Sequence, residues 1–333
     1  MTAPTRRALC SSLSLIAGIS LGSPALHRAQ RVVRLHDAVA APLEFTPATF
    51  RPQGSAMCER DSTDDILRNN ELSRRRFGAL GLGATLAAML PPVAAAAEVS
   101  ESEVEIKTPD GTCDAHFVHP AKATAAVLVW PDIFGLRPAF RAMGKRLAES
   151  GYAVLTVNPF YRSIKGTPAS REDAFSYAKT LSPTTHVSDA KAFVAWLDAQ
   201  KAVDKKRKIG TTGYCMGGPI VMRTAGSLPE RIGAGCTFHG GGLTTSDANS
   251  PHLLIPNMKA SMLIAIADND DQKDPTSKDI LRKAFDDAKL SAEIEVYKGA
   301  NHGWMPPDSQ NHNAEAAEKG WERKLALFKK GLA

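Results

Sequence analysis

Cysteine is scarce in this chain. Five of its 333 residues are cysteine, and after residue 97 only Cys113, Cys215 and Cys236 remain. An odd number cannot all be stapled to one another, so one thiol stays free unless a partner chain takes it. No C-x-x-C pair and no His/Cys cluster stands at zinc spacing, which argues against a metal site. No internal repeat is present, and composition does not break after residue 98. A basic excess is missing too, once its position is considered. The formal net charge is +6, but residues 1–97 hold 11 Arg, no Lys and 7 acidic residues, a net of +4; the remainder carries 30 basic against 28 acidic residues, only +2. So even a balance leaves no face for nucleic acid. Long apolar runs are also absent: the uncharged stretch 78–97 is broken by Gly81, Gly83, Pro91 and Pro92, too weakly hydrophobic for a stable membrane anchor. What is left is ordinary globular material, 43% hydrophobic and 23% charged, enough to build a full core.

The first 97 residues read as an address. Arg74 and Arg75 follow Ser73, Phe77 comes two places later, the uncharged stretch follows, and small residues 94–97 close it. Charged, apolar and small-residue regions in that order make an export signal. The paired arginines resemble the twin-arginine leader of bacteria, a route for already folded proteins. Residues 57–97 are therefore expected to be a leader engaging the twin-arginine export machinery, with the remainder periplasmic or secreted, or cytoplasmic if the leader is unused. Arg6 and Arg7 before residues 13–21 look like a second, competing signal. Met57 stands sixteen residues before Ser73, a normal leader length, so residues 1–56 are expected to be a mis-assigned start or a disordered segment.

From residue 98 the chain alternates short apolar runs with helical patterns. Residues 101–107 alternate charged and apolar positions, as an antiparallel edge strand does, and Pro109-Asp110-Gly111 turns them into 113–119. Continuous apolar runs at 125–130 and 153–157 suit strands buried on both faces. Further strands are expected at 232–238, 262–267 and 292–297, with helices carrying Phe140, Met143 and Leu147, then at 172–180, 187–200, 278–289 and 312–330. This pattern predicts an α/β fold over 98–333, a single domain whose mostly parallel sheet is covered by helices on both faces, with reactive groups at the carboxyl ends of the strands.

The stretch 208–220, K-I-G-T-T-G-Y-C-M-G-G-P-I, organises the rest. A strand that turns at once into a helix forces the residue at its apex into a strained conformation, so the positions two before and two after must be nearly free of side chain. Gly213 and Gly217 meet that need around Cys215, at a helix N-terminus that favours a thiolate and later an oxyanion. A thiol nucleophile needs a base, and the base needs orientation. His302 lies just past the last expected strand, between small residues. Asp268-Asn269-Asp270-Asp271 ends an earlier one, without the glycine and distal glutamate of a calcium loop. The order nucleophile, acid, histidine is that of the α/β-hydrolases. Counting from the strand favours Asp270 as the acid, whereas counting back from Pro275 favours Asp271. The other histidines, His239 among them, read as structural.

These features together resemble the dienelactone hydrolase family, the cysteine-nucleophile branch of the α/β-hydrolases. The elbow Gly213-Tyr214-Cys215-Met216-Gly217-Gly218, the segment Trp130-Pro131-Asp132-Ile133-Phe134-Gly135, the loop Pro159-Phe160-Tyr161-Arg162 and the run His302-Gly303-Trp304 carry the likeness. The resemblance implies a carboxylic-ester or lactone hydrolase, carboxymethylenebutenolidase-like, needing no cofactor and acting on a small-molecule ester; the chain is separately expected to be a monomer. It further implies a Cys215, His302 and Asp triad working through a thioester, an oxyanion hole from the backbone N–H groups of Met216 and Ile133, a carboxylate at Asp132 that modulates the resting thiol, and substrate contacts from Arg162, Tyr161 and Trp304. Asp132 stands where the family usually has glutamate, and Pro306 replaces an arginine four positions beyond the histidine. Those departures bear on the substrate more than on the chemistry. Two other readings fit the same fold: a small-molecule binder without catalysis, and a redox-sensing thiol protein in which Cys215 pairs with Cys236 or Cys113.

Overall fold

Apolar runs without alternation become the centre of the sheet. The computed structural model describes residues 90–92 and 96–333; the expected leader and the segment before it lie almost wholly outside the described residues. Strands β3 (Ala126–Trp130), β4 (Ala153–Val157) and β5 (Ile209–Tyr214) are buried along their whole length, as strands packed on both faces must be. With β1 (Val99–Thr108), β2 (Gly111–Pro120), β6 (Ile232–Phe238), β7 (Ser261–Ala267) and β8 (Ala292–Tyr297) they form one eight-stranded sheet in the order β1-β2-β4-β3-β5-β6-β7-β8. The β1–β2 hairpin is antiparallel at the edge, and β2 pairs antiparallel with β4. Every other neighbouring pair is parallel.

Helices cover both faces. On one, α3 (Pro183–Ala199), α4 (Gly217–Ser227) and α6 (Ser277–Asp287) bring Phe193, Leu197, Val221, Met222 and Phe285 against Leu128, Trp130 and Ile264. On the other, α1 (Pro138–Glu149) and α7 (Ala314–Gly331) pack Phe140, Leu147, Trp321 and Phe328 against Val127, Val129 and Leu263. Alternate residues of one strand thus feed opposite cores, the period-two rule of a pleated strand. A third cluster, described with the site below, collects residues that follow β3, β4 and β5 together with α2 (Arg171–Ala178).

Two local features differ from expectation. Helix α3 begins at Pro183 rather than 187, because Ser182 caps it: its side chain accepts from the Thr185 N–H while the Thr185 hydroxyl accepts from the Ser182 N–H, and Pro183 occupies the first turn. The acidic run after β7 is a short helix, α5 (Asp268–Lys273), which the sequence pattern did not indicate; carboxylates in a first turn face the positive end of the backbone dipoles. A 3-10 segment, Pro251–Asn257, crosses between β6 and β7. Among the described residues no helix is long and apolar enough to cross a membrane.

Candidate active site

The turn from β5 into α4 depends on two glycines. A Cβ on Gly213 would stand 2.3 Å from the Gly217 carbonyl oxygen, and one on Gly217 would stand 2.4 Å from the Trp130 carbonyl oxygen. Both are impossible contacts, so the close passage of β5, α4 and the end of β3 requires bare backbone at both positions. Between them Cys215 adopts φ 52, a left-handed conformation costly for a residue with a side chain. Its N–H donates to the Phe238 carbonyl at 3.1 Å and its carbonyl accepts from Gly218 at 3.0 Å. The thiol is therefore carried at the tip of the sheet, where β5 stands beside the β3 strand from which the chain order reverses, the crevice in which open α/β sheets place their ligands.

The loop after β8 folds back towards that tip. The His302 N–H donates to Asn269 Oδ1 at 2.8 Å, and its carbonyl accepts from Asn311 Nδ2 at 2.8 Å, which fixes the backbone over the end of β7. The ring then meets Asp270, with Nδ1 2.7 Å from Oδ2. Asp271 points elsewhere: it is buried and takes Lys278 through Oδ1. Successive residues of a helix are about 100° apart, so one turn of α5 sends adjacent carboxylates to different partners. The other face of the His302 ring touches His239, centroids 5.1 Å apart and edge-on. His239 directly follows Phe238, whose carbonyl holds the Cys215 amide, so the end of β6 is flanked by the elbow on one side and carries the His302 ring against His239.

His239 is a site residue that reading the sequence missed. It is fully buried, has φ 41, and lies against His302, Trp304 and Tyr214. Burial, and after it the charges of His302 and Arg137, hold its ring well below the usual histidine range, so it stays neutral. Arg137 was missed as well. It is 2% exposed and forks onto two carboxylates: Nη1 and Nη2 reach Asp132 at 2.5 and 3.0 Å, while Nε and Nη2 reach Asp308 at 2.6 and 3.0 Å. Burial opposes its charge, but Asp132 and Asp308 outweigh it and hold the guanidinium above the ordinary arginine range. An arginine five residues after Asp132 was the only signal in the sequence, and arginine just before a helix has many other uses.

Several expected roles change. Asp132 accepts from the Phe134 N–H and from Arg137, so the carboxylate assigned to thiol modulation is already engaged by a guanidinium. Arg162, expected to clamp substrate, pairs with Asp189 through Nη1 and Nη2 and with Asp110 through Nε and Nη2. Two carboxylates thus neutralise it. Tyr161 belongs to the same network, donating to Asp189 at 2.7 Å with Thr108 at 2.8 Å. Trp304, also expected at the substrate, has no exposed surface and stacks on Tyr297 at 4.7 Å inside the core; a large ring there gains more from packing than from contact with a ligand.

Ile133 and Met216 do lie with Cys215. All three belong to one apolar cluster with Phe134, Phe160, Ala174 and Ala178, edged by Ile164, Phe175 and Leu181. Among the described residues neither the Ile133 nor the Met216 amide donates to a protein acceptor, so both remain available to an incoming oxygen. None of the three described cysteines is in a disulfide, and all three are buried. Cys113 and Cys236 sit in the cores on opposite faces of the sheet, away from the Cys215 cluster, and burial raises both of their thiols above the usual range. A buried thiol so raised is a poor partner for disulfide exchange. Among the described residues no group of three potential metal ligands is present.

Comparison with known proteins agrees with this fold. Residues 113–332 match the model of the dienelactone hydrolase family. A carboxymethylenebutenolidase of Rhodococcus opacus is 25% identical over 248 residues, 73% of this chain and 94% of that protein. Among solved structures, a dienelactone hydrolase from Anabaena variabilis superposes with a TM-score of 0.52 at 17% identity, over 71% of this chain and 99% of that one. A dienelactone hydrolase-like promiscuous phosphotriesterase from metagenomic libraries does so with a TM-score of 0.61 at 21% identity, over 71% and 99%. At such identities the two structures speak for the fold.

Proposed function

Because this chain belongs to the dienelactone hydrolase family, and is thus a hydrolase acting on carboxylic ester bonds, we propose that its nucleophile is Cys215, with His302 as base and Asp270 as the acid that orients it. The observation that carries this reading is the 2.7 Å pair between His302 Nδ1 and Asp270, taken together with a cysteine held in left-handed backbone at the elbow. Asp270 fixes the tautomer in which His302 presents Nε2 as proton acceptor.

In the first half-reaction Nε2 takes the thiol proton and the sulfur attacks the carbonyl carbon. The carbonyl oxygen becomes an alkoxide facing the Met216 and Ile133 amides, at the positive end of α4. Collapse breaks the carbon–oxygen ester bond, His302 returns its proton to the leaving alcohol, and a thioester on Cys215 remains. From a lactone the alcohol stays tethered to the acyl group. In the second half-reaction His302 deprotonates a water that attacks the thioester; the acid leaves and the thiol is restored.

The surroundings of Cys215 favour an apolar acyl group. Phe134, Phe160 and α2 supply its neighbours, while the cation expected to hold a substrate carboxylate is neutralised by Asp189 and Asp110. A panel of p-nitrophenyl esters and lactones, neutral against carboxylated, tests both parts. Cys215→Ala is expected to remove turnover by at least about a thousandfold, and neutral esters are expected to exceed carboxylated ones in kcat/KM. Full turnover by Cys215→Ala sinks the mechanism; a preference for carboxylated esters sinks the substrate class alone.

A further inference from the structure

A cavity of about 840 Å3 lies between α3, α4 and the 3-10 segment, and neither Cys215, His302 nor Asp270 lines it. The volume is that of a small-molecule site. Its walls are Val187 and Ala192 from α3 and Leu253 and Leu254 from the 3-10 segment, with Arg223 of α4 between them and Lys191 also in the lining. Arg223 stands eight residues after Cys215, so it sits roughly 10 Å further along the helix axis.

The walls hold two unmet demands. Arg223 is 8% exposed, yet among the described residues no carboxylate pairs with it, in contrast to Arg137, Arg146, Arg162 and Arg231, each on a carboxylate. Its Nη2 donates to the Asn249 carbonyl at 3.2 Å, Nη1 only reaches the Pro219 carbonyl at 3.5 Å, and Nε is buried without a partner. Two of five N–H donors are spent and the charge is unopposed. Burial is the one influence on it, pulling the guanidinium below the usual arginine range. His186 nearby does not relieve it: an imidazole carries no negative charge, and both of its buried ring nitrogens are without a bonded partner. The second demand is apolar. Leu253 is 51% exposed, one of two large hydrophobic side chains exposed among the described residues, and it faces the cavity.

We propose that this cavity binds an organic carboxylate with an aliphatic or aromatic body, its carboxylate on Arg223 and its body between Val187, Ala192, Leu253 and Leu254. A buried cation without a counter-ion is costly, and a carboxylate relieves that cost with a charge-assisted, bidentate pair. The apolar walls account for the rest of the ligand, which a bare inorganic anion would leave unfilled. The site does not depend on the chemistry proposed for Cys215.

Octanoate is the probe. Isothermal titration of the full chain is expected to give saturable binding of octanoate, with octanol and octylammonium at least about tenfold weaker, since neither offers an anion to the guanidinium. Arg223→Gln should weaken octanoate by about tenfold or more and leave octanol unchanged. Should that variant fold poorly, Ala192→Trp fills the cavity with Arg223 intact; it removes octanoate binding while p-nitrophenyl acetate is still turned over at the wild-type rate. Alkylating Cys215 with iodoacetamide leaves the octanoate titration as it was. Lack of saturable binding, equal affinity in the folded variants, or loss of binding on alkylation overturns the proposal.

Discussion

Asp270 and Asp271 are neighbours with the same side chain, and a single helical step separates a carboxylate on the imidazole from one on Lys278. Asp270→Asn keeps the shape and removes the charge that steadies the imidazolium and fixes its tautomer. It is expected to lower kcat by about a hundredfold to ten-thousandfold, whereas Asp271→Asn should change kcat less than about threefold. Steady-state kinetics of the two variants on one neutral ester decides, and equal losses would reject the assignment. The sequence left these two acids open because counting residues from a strand does not say where a six-residue helix begins. His239 was obscured for a related reason. One histidine among nine reads as structural until β6 is seen to end between the elbow and the base.

Helix α7 was legible as an amphipathic pattern, but not the side chain at its centre. Lys324 is fully buried on the sheet, its Nζ 3.4 Å from the centre of the Trp321 ring and 3.3 Å from the Tyr214 hydroxyl. Ring faces favour the cation; burial disfavours it more and brings the ammonium down to about 7 from the ordinary 10.5. Below pH 7 the amine is charged in both folded and unfolded chains, and the burial cost is present in full. Between 7 and 10.5 the unfolded chain holds a proton that the folded one has lost, so stability rises with pH; above 10.5 both are neutral. Urea denaturation should therefore show this group adding up to about 1.4 kcal/mol per pH unit across that window, and Lys324→Met should be stabler at pH 7 and lack the rise. An unchanged slope in the variant would contradict the assignment. By contrast, the start of α3 is written locally in Ser182, Pro183 and Thr185, and only the weak apolar pattern of its first turn hid it.

At the scale of the whole molecule, the alternation of apolar runs and helical patterns already implied a mostly parallel sheet covered on both faces, and that sheet brings three loops, after β5, β7 and β8, to the carboxyl end of its strands. For the part before the described residues we propose export through the twin-arginine pathway, on the strength of Arg74 and Arg75 ahead of the weakly apolar stretch. N-terminal sequencing of protein from the periplasmic or culture fraction should find a chain beginning close to Glu98, with Arg74→Lys and Arg75→Lys together blocking its appearance; unprocessed protein confined to the cytoplasm would refute it. What the sequence determined by itself is whatever neighbouring residues impose on one another: glycines two places either side of Cys215, because no Cβ fits there, and strands that alternate or do not according to how many faces they bury. Only the tertiary structure decided which carboxylate meets His302, that Arg162 and Arg137 have their charges met within the protein while Arg223 does not, and that Trp304 belongs to the core. Each of those depends at least in part on groups tens to more than a hundred residues apart converging in space, and charge or ring stacking acts through that distance in space, which no local spacing records.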